Sequence, residues 1–100
     1  MDNLKLTLQE LRIMSVLETG EKYGYQIVKD LENSILLGSL YNALKKMEEK
    51  NFVESYWGSE DEEIGARRRY YKITAHGSTV FRETVFELVS KSNLSTPNMI

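Results

Sequence analysis

Apolar residues follow helical spacing through the first half of the chain, alternate over its middle, and return to helical spacing near the end. In TLQELRIMSVLETG, Leu8, Leu11, Ile13, Met14, Val16 and Leu17 fall mostly three and four residues apart, which predicts a first helix over residues 7 to 19. Thr7 and Glu10 have the spacing of a capping box, and Gly20 supplies a C-terminal stop. YGYQIVKDLENS carries Ile27, Val28 and Leu31 on one stripe and predicts a second helix over 23 to 33, with Gly24 marking the turn before it. A third helix is expected from Gly38 and Ser39, with the serine as cap, to a stop at Asn51.

After Asn51 the period becomes two. FVESYW and RRRYYKIT are rich in strand formers, and GSEDEEIGA between them reads as a long turn, so a hairpin is predicted. Three helices followed by a hairpin is the layout of a winged helix-turn-helix, a mainly α fold with a two-stranded β wing. The final segment, TAHGSTVFRETVFELVSKS, carries Val80, Phe81, Val85, Phe86, Leu88 and Val89, a stripe too wide for a helix exposed on a monomer. The expected organisation is a winged helix-turn-helix over 1–74, a C-terminal helix over 75–92 that packs on something else and a loose tail over 93–100. If that helix meets a second copy, as a dimerisation helix, Val80, Phe81, Val85, Leu88 and Val89 are the expected contacts.

Composition narrows the class. One hundred residues, 41% apolar and 28% charged, describe one soluble globular domain. A chain this short buries a modest share of its surface and would gain from burying more against a second copy. Without cysteine, neither a disulfide framework nor a thiolate metal site can be built. MDNLKLTLQELR contains no long apolar run, so a cytoplasmic protein without a membrane span is expected. The lone histidine, His76, has no evident nucleophile partner, and no glycine-rich phosphate loop follows a strand, so neither catalysis nor a cofactor is expected. The acidic run lacks ligating histidines, so no metal is expected either.

A net charge of -2 and a pI near 5.4 argue against nucleic-acid binding until the distribution is considered. Arg67, Arg68, Arg69 and Lys72 make a local +4 directly after the local -4 of Glu60, Asp61, Glu62 and Glu63. Winding the third helix at 100° per residue gathers Leu40, Ala43, Leu44 and Met47 on one face. Ser39, Asn42, Lys45, Lys46 and Glu49 lie opposite, with Tyr41 at the border. Hydroxyl, amide and ammonium groups can donate to phosphates and read base edges, and Asn42 can pair bidentately with adenine. A solvated helix face is the plain alternative. Along the second wing strand, alternation separates Arg67, Arg69, Tyr71 and Ile73 from Arg68, Tyr70 and Lys72. Ile73 and Tyr71 should face the core, Arg69 should pair with a carboxylate, and Arg68 and Lys72 should form the exposed basic face. Arg67 lies near the tip, where alternation constrains it least. The competing reading is a strand neutralised by the acidic tip.

Three stretches, YGYQIVKDLE, GSLYNALKKMEEKNFVES and RRRYYKITAHG, in this order and separation, resemble the PadR family of transcriptional regulators from Leu8 to about Val89. The resemblance is to the small subfamily with a single C-terminal dimerisation helix. It implies a homodimer in which that helix packs against the first helix of the partner. It also implies binding to inverted-repeat operator DNA, usually as a repressor, and in some members release by a small hydrophobic or aromatic effector. The expected DNA contacts are Ser39, Tyr41, Asn42, Lys45, Lys46, Arg67, Arg68 and Lys72. Asn51 stands where members often have glycine, which is compatible because asparagine tolerates left-handed backbone. The aromatic shelf that drug-binding members carry on the last helix, often tryptophan, is absent: the only tryptophan is Trp57, in the wing. Phe81 or Phe86 would have to take its place. The rival function is a protein-interaction module using the same fold without DNA.

Overall fold

The computed structural model describes residues 6–61, 63 and 65–91. In chain order the elements are α1 (Leu8–Leu17), β1 (Lys22–Tyr23), α2 (Gly24–Asp30), α3 (Leu37–Glu49), β2 (Val53–Asp61), β3 (Ala66–Ile73) and α4 (Ala75–Lys91). The tail expected over 93–100 lies outside the described residues.

The capping box forms as its spacing predicts. Glu10 N–H donates to Thr7 Oγ1, and Thr7 N–H donates to Glu10 Oε1, each at 3.0 Å. The second carboxylate oxygen of Glu10 accepts from Lys50 Nζ at 2.9 Å. This buried acid therefore joins the start of α1 to the end of α3. The second helix is shorter than expected at both ends. Tyr23 belongs to β1, and Gly24 is the first helical residue rather than an interhelical turn. Glu32 and Asn33 adopt left-handed φ of 57° and 59°, and Asn33 N–H returns to the Val28 carbonyl at 2.9 Å, which ends α2. The third helix begins earlier than expected. Leu36 is its N-cap, without a side-chain bond, so Ser39 sits inside the first turn and does not cap it. Buried Ile35 anchors the preceding chain, and extended Leu36 leads directly into the helix.

The sheet has a third strand that alternation could not indicate. Its order is β1-β3-β2, all antiparallel, with Tyr23 opposite Tyr70 and Val53 opposite Ile73. β2 also runs further than expected: Glu60 and Asp61, read as part of the turn, pair with Arg67 and Ala66. Between Trp57 and Glu60 the register slips by one residue, so Gly58 and Ser59 together oppose Arg68 as a β-bulge. Tyr71 is buried and Ile73 packs on the core, as alternation requires.

The core is filled from every helix and both long strands, with Ile13, Met14, Leu17, Ile27, Leu40, Leu44, Met47 and Val53 completely enclosed. Asn51 takes the left-handed conformation at φ 65° and turns the chain from α3 toward β2. Thr74 then starts α4: its Oγ1 accepts from Gly77 N–H at 2.8 Å and donates to the Asn51 carbonyl at 2.7 Å. Gly77 lies so close to the Phe52 backbone that an added Cβ would meet the Phe52 carbonyl carbon at 2.8 Å and collide with its oxygen. Gly77, Val80 and Thr84 share one stripe and are all buried. Val80, expected in the dimer contact, is thus occupied inside its own protomer at 3% exposure. Phe81 is half-buried against the same core. Leu88 continues this stripe past the end of the core and is exposed, as are Val85, Phe86 and Val89, with Leu8 of α1 also open to solvent. No described helix is long and apolar enough to cross a membrane.

Candidate nucleic-acid interface

Burial of Leu40, Ala43, Leu44 and Met47 fixes the rotation of α3 and turns Ser39, Tyr41, Asn42, Lys45 and Lys46 outward. The outward face divides in two. Ser39, Asn42 and Lys46 line a shallow groove shared with Thr7, Gln9 and Glu10 at the start of α1. Tyr41, Lys45 and Glu48 instead face the wing across a larger cleft of about 800 Å3. Tyr41 serves both structure and surface. Its ring lies on Gly24, where any Cβ would sit 2.7 Å from the phenol carbon, and 6.4 Å from the Tyr71 ring, yet its edge stays exposed. The glycine of YGYQ therefore lets the end of the Tyr41 ring lie directly against the start of α2.

The wing presents its three arginines in three different states. Arg67 lines the cleft and donates from Nε to the Gly58 carbonyl at 2.9 Å, and it makes no ion pair with a described carboxylate. Arg68 stacks on the Tyr23 ring at 4.4 Å and pairs with Asp61 at 3.4 Å, so it is half-buried where a free exposed position was expected. Arg69 takes the structural role expected of it: Nη2 lies 3.6 Å from Glu48 Oε2, and Nε donates to Ser55 Oγ at 2.9 Å. Ser55 Oγ in turn donates to Glu48 Oε2 at 2.6 Å. Lys72 is exposed but projects from the other face of the sheet, paired with Glu54 at 3.5 Å, and does not line the cleft. The structure thus gathers Tyr41, Lys45, Arg67 and Arg68 around one cleft, places Ser39, Asn42 and Lys46 beside it, and leaves Lys72 apart.

Three cleft residues were not foreseen. Trp57, 53% exposed, lies on the inner face with the Arg69 guanidinium 5.4 Å from its ring centre. Counting by twos from buried Val53 through Ser55 reaches it. Glu48 lies one turn beyond Lys45 on the same helix edge, a spacing that could have been read. Tyr23 sits in a strand of two residues, too short to carry any period.

Burial raises the Tyr71 hydroxyl above the ordinary value of 10.0; Arg69 opposes that rise, while Tyr41 and Glu48 add to it. Tyr56, on the outer face, donates to Glu21 Oε2 at 2.7 Å, and this bond is the main reason that its pKa is raised as well.

A three-helix unit, a basic hairpin and a fourth helix define a winged helix-turn-helix protein. The model of the transcriptional regulator PadR-like family matches residues 13–83, and the chain belongs to that family. It is 31% identical over 81 residues to an uncharacterised protein of Lysinibacillus sphaericus, covering 75% of this chain and 72% of that one. Among solved structures it is similar to a PadR family transcription regulator from hypervirulent Clostridium difficile, with a TM-score of 0.72 and 33% identity over 85% of this chain and 93% of that one. The fold is shared also with Bacillus subtilis PadR in complex with operator DNA, at a TM-score of 0.71 and 19% identity, over 79% of this chain and 47% of that one.

Proposed function

We propose that this protein is a DNA-binding transcriptional regulator that inserts the first half of α3 into the major groove and lays its wing along the adjacent backbone. The observation that carries this reading is the convergence of Lys45 from α3 and Arg67 from the wing on one open cleft, neither of them paired with a described carboxylate. Lys46 adds an ammonium on the neighbouring edge of α3 that pairs with no described carboxylate. Family membership and the operator complex of Bacillus subtilis PadR support it. In this arrangement Asn42 reads a base, and Ser39, Tyr41, Lys45, Lys46 and Arg67 meet the backbone. Arg68 and Lys72 join them only by giving up Asp61 and Glu54.

The regulator acts as a homodimer on an inverted repeat, as a repressor, with the outer half of α4 as the dimer contact. That assignment rests on Val85, Leu88 and Val89, an apolar run that extends beyond the protomer's own core. A small hydrophobic effector lodged between two such helices would meet Phe86, which is 74% exposed, before the half-buried Phe81. Changing the separation of the two recognition helices in this way would alter operator affinity only as far as the effector prefers one state.

The test is selection of bound sequences from random duplexes, followed by affinity measurements across a salt series. Lys45→Ala and Arg67→Ala should each reduce the logarithmic salt slope by about one. Asn42→Ala should relax preference at one base pair by roughly 1 to 3 kcal/mol. Absence of salt-dependent duplex binding, with both alanine variants behaving as the parent, would instead point to a protein-interaction module.

A further inference from the structure

The wing is tied to the recognition helix by one closed set of polar contacts. Glu48 on α3 accepts from Ser55 on β2 at 2.6 Å, Ser55 accepts from Arg69 on β3 at 2.9 Å, and Arg69 returns to Glu48 at 3.6 Å. Residues 48, 55 and 69 thus bring three elements together, and Glu48 and Arg69 line the cleft. Among the described residues, the only other side-chain hydrogen bond or ion pair from the end of α3 to a distant element is Lys50 to Glu10, and it faces α1 rather than the wing. Trp57 and Tyr71 flank the Arg69 guanidinium at 5.4 Å and 5.8 Å, so it is held between rings as well as by its carboxylate.

We infer that Glu48 and Arg69 are positioning residues: their contact sets the angle of the wing to α3 and so fixes which groove spacing the two elements can engage together. This rests on the DNA-binding reading above. An acid facing a phosphate-binding cleft is repulsive unless neutralised, and Arg69 supplies the neutralising charge. An arginine so held is withdrawn from phosphate contact, in keeping with the structural role that strand alternation assigns to it. The contact is also charge-assisted and partly shielded, conditions under which such bonds hold geometry better than exposed ion pairs do. With the angle fixed beforehand, operator binding need not order the wing, whereas loose binding to other DNA never required that order.

Two substitutions, the isosteric Glu48→Gln and the uncharged, shorter Arg69→Gln, test this, alone and together. Trp57, the single tryptophan, reports on Arg69 in the free protein, and its emission maximum should shift in both variants. Arg69→Gln should weaken operator binding roughly tenfold, the loss expected for one charged hydrogen bond, and lower the salt slope because Glu48 is left uncompensated, whereas the double variant should keep the parent's slope. Glu48→Gln should lower the ratio of operator to random-duplex affinity and increase the salt slope by about one, as the released Arg69 reaches phosphate. The double variant should be no worse for operator affinity than the weaker single one, because both remove the same contact.

A salt slope that falls by about one in the double variant would overturn the inference, since with Glu48 also neutral it would make Arg69 a phosphate contact. So would additive losses, or Trp57 emission that neither substitution alters. If the parent protein binds no duplex at all, the DNA-binding reading itself has failed, a result distinct from binding that these variants leave unchanged.

Discussion

Gly77 shows how one missing side chain fixes a helix. α4 begins against the Phe52 backbone, and a methyl group at position 77 would occupy the carbonyl's place. Gly77→Ala should therefore destabilise the fold by about 1 to 3 kcal/mol despite alanine's better helix propensity, as a shift in the urea midpoint would register. Tyr71 makes a second prediction at this scale. Burial favours its neutral phenol in the folded state, so its pKa lies above the unfolded 10.0. Its contribution is fully present below about pH 10 and is lost as pH rises through the folded value. Tyr71→Phe should flatten the alkaline loss of stability, measured by urea unfolding between about pH 8 and pH 11, and leave the acid side unchanged. Tyr56 has a raised pKa for a different reason, its bond to Glu21, and should add an alkaline dependence of the same sign.

Among the elements, what was legible in the sequence is what periodicity and caps encode. Thr7 and Glu10 announced the start of α1, Asn51 the end of α3, and Tyr71 with Ile73 the inward face of β3. β1 was not legible because two residues have no period, and its pairing depends on β3, almost 50 residues later. The extent of β2 was hidden because the bulge at Gly58 and Ser59 interrupts alternation where turn residues also occur. In the site, the outward face of α3 was readable from helical winding. The Glu48, Ser55 and Arg69 contact was not, since it joins residues from three elements whose separations obey no single repeat. α4 looked like one apolar helix and is two halves that differ in burial, the first packed on the core and the second exposed. Val80→Ala should cost roughly 1 to 3 kcal/mol of protomer stability, because it empties part of the core. Leu88→Glu should leave the circular dichroism spectrum folded but yield monomers in analytical ultracentrifugation, since Leu88 lies beyond that core. A dimer that withstands Leu88→Glu and the same change at Val85 would place the contact elsewhere.

For the whole molecule, continuity between these halves has a thermodynamic effect. The helix proposed to join two copies is anchored by Gly77, Val80 and Thr84 in the domain that it would stabilise, so assembly and folding share one element. The melting temperature should rise with protein concentration in the parent and become independent of it in Leu88→Glu, a comparison that scanning calorimetry can make. The charge distribution acts at the same scale. Arg68, Arg69 and Lys72 are each held by an acid of the same protomer, which brings most of the wing's positive charge close to balance. A regulator spends most of its time on the wrong stretches of a chromosome, held there by attraction to phosphate that ignores sequence. With few cations left uncompensated, this wing would release such sites quickly, and its neutral balance would shorten the search for the one stretch that fits.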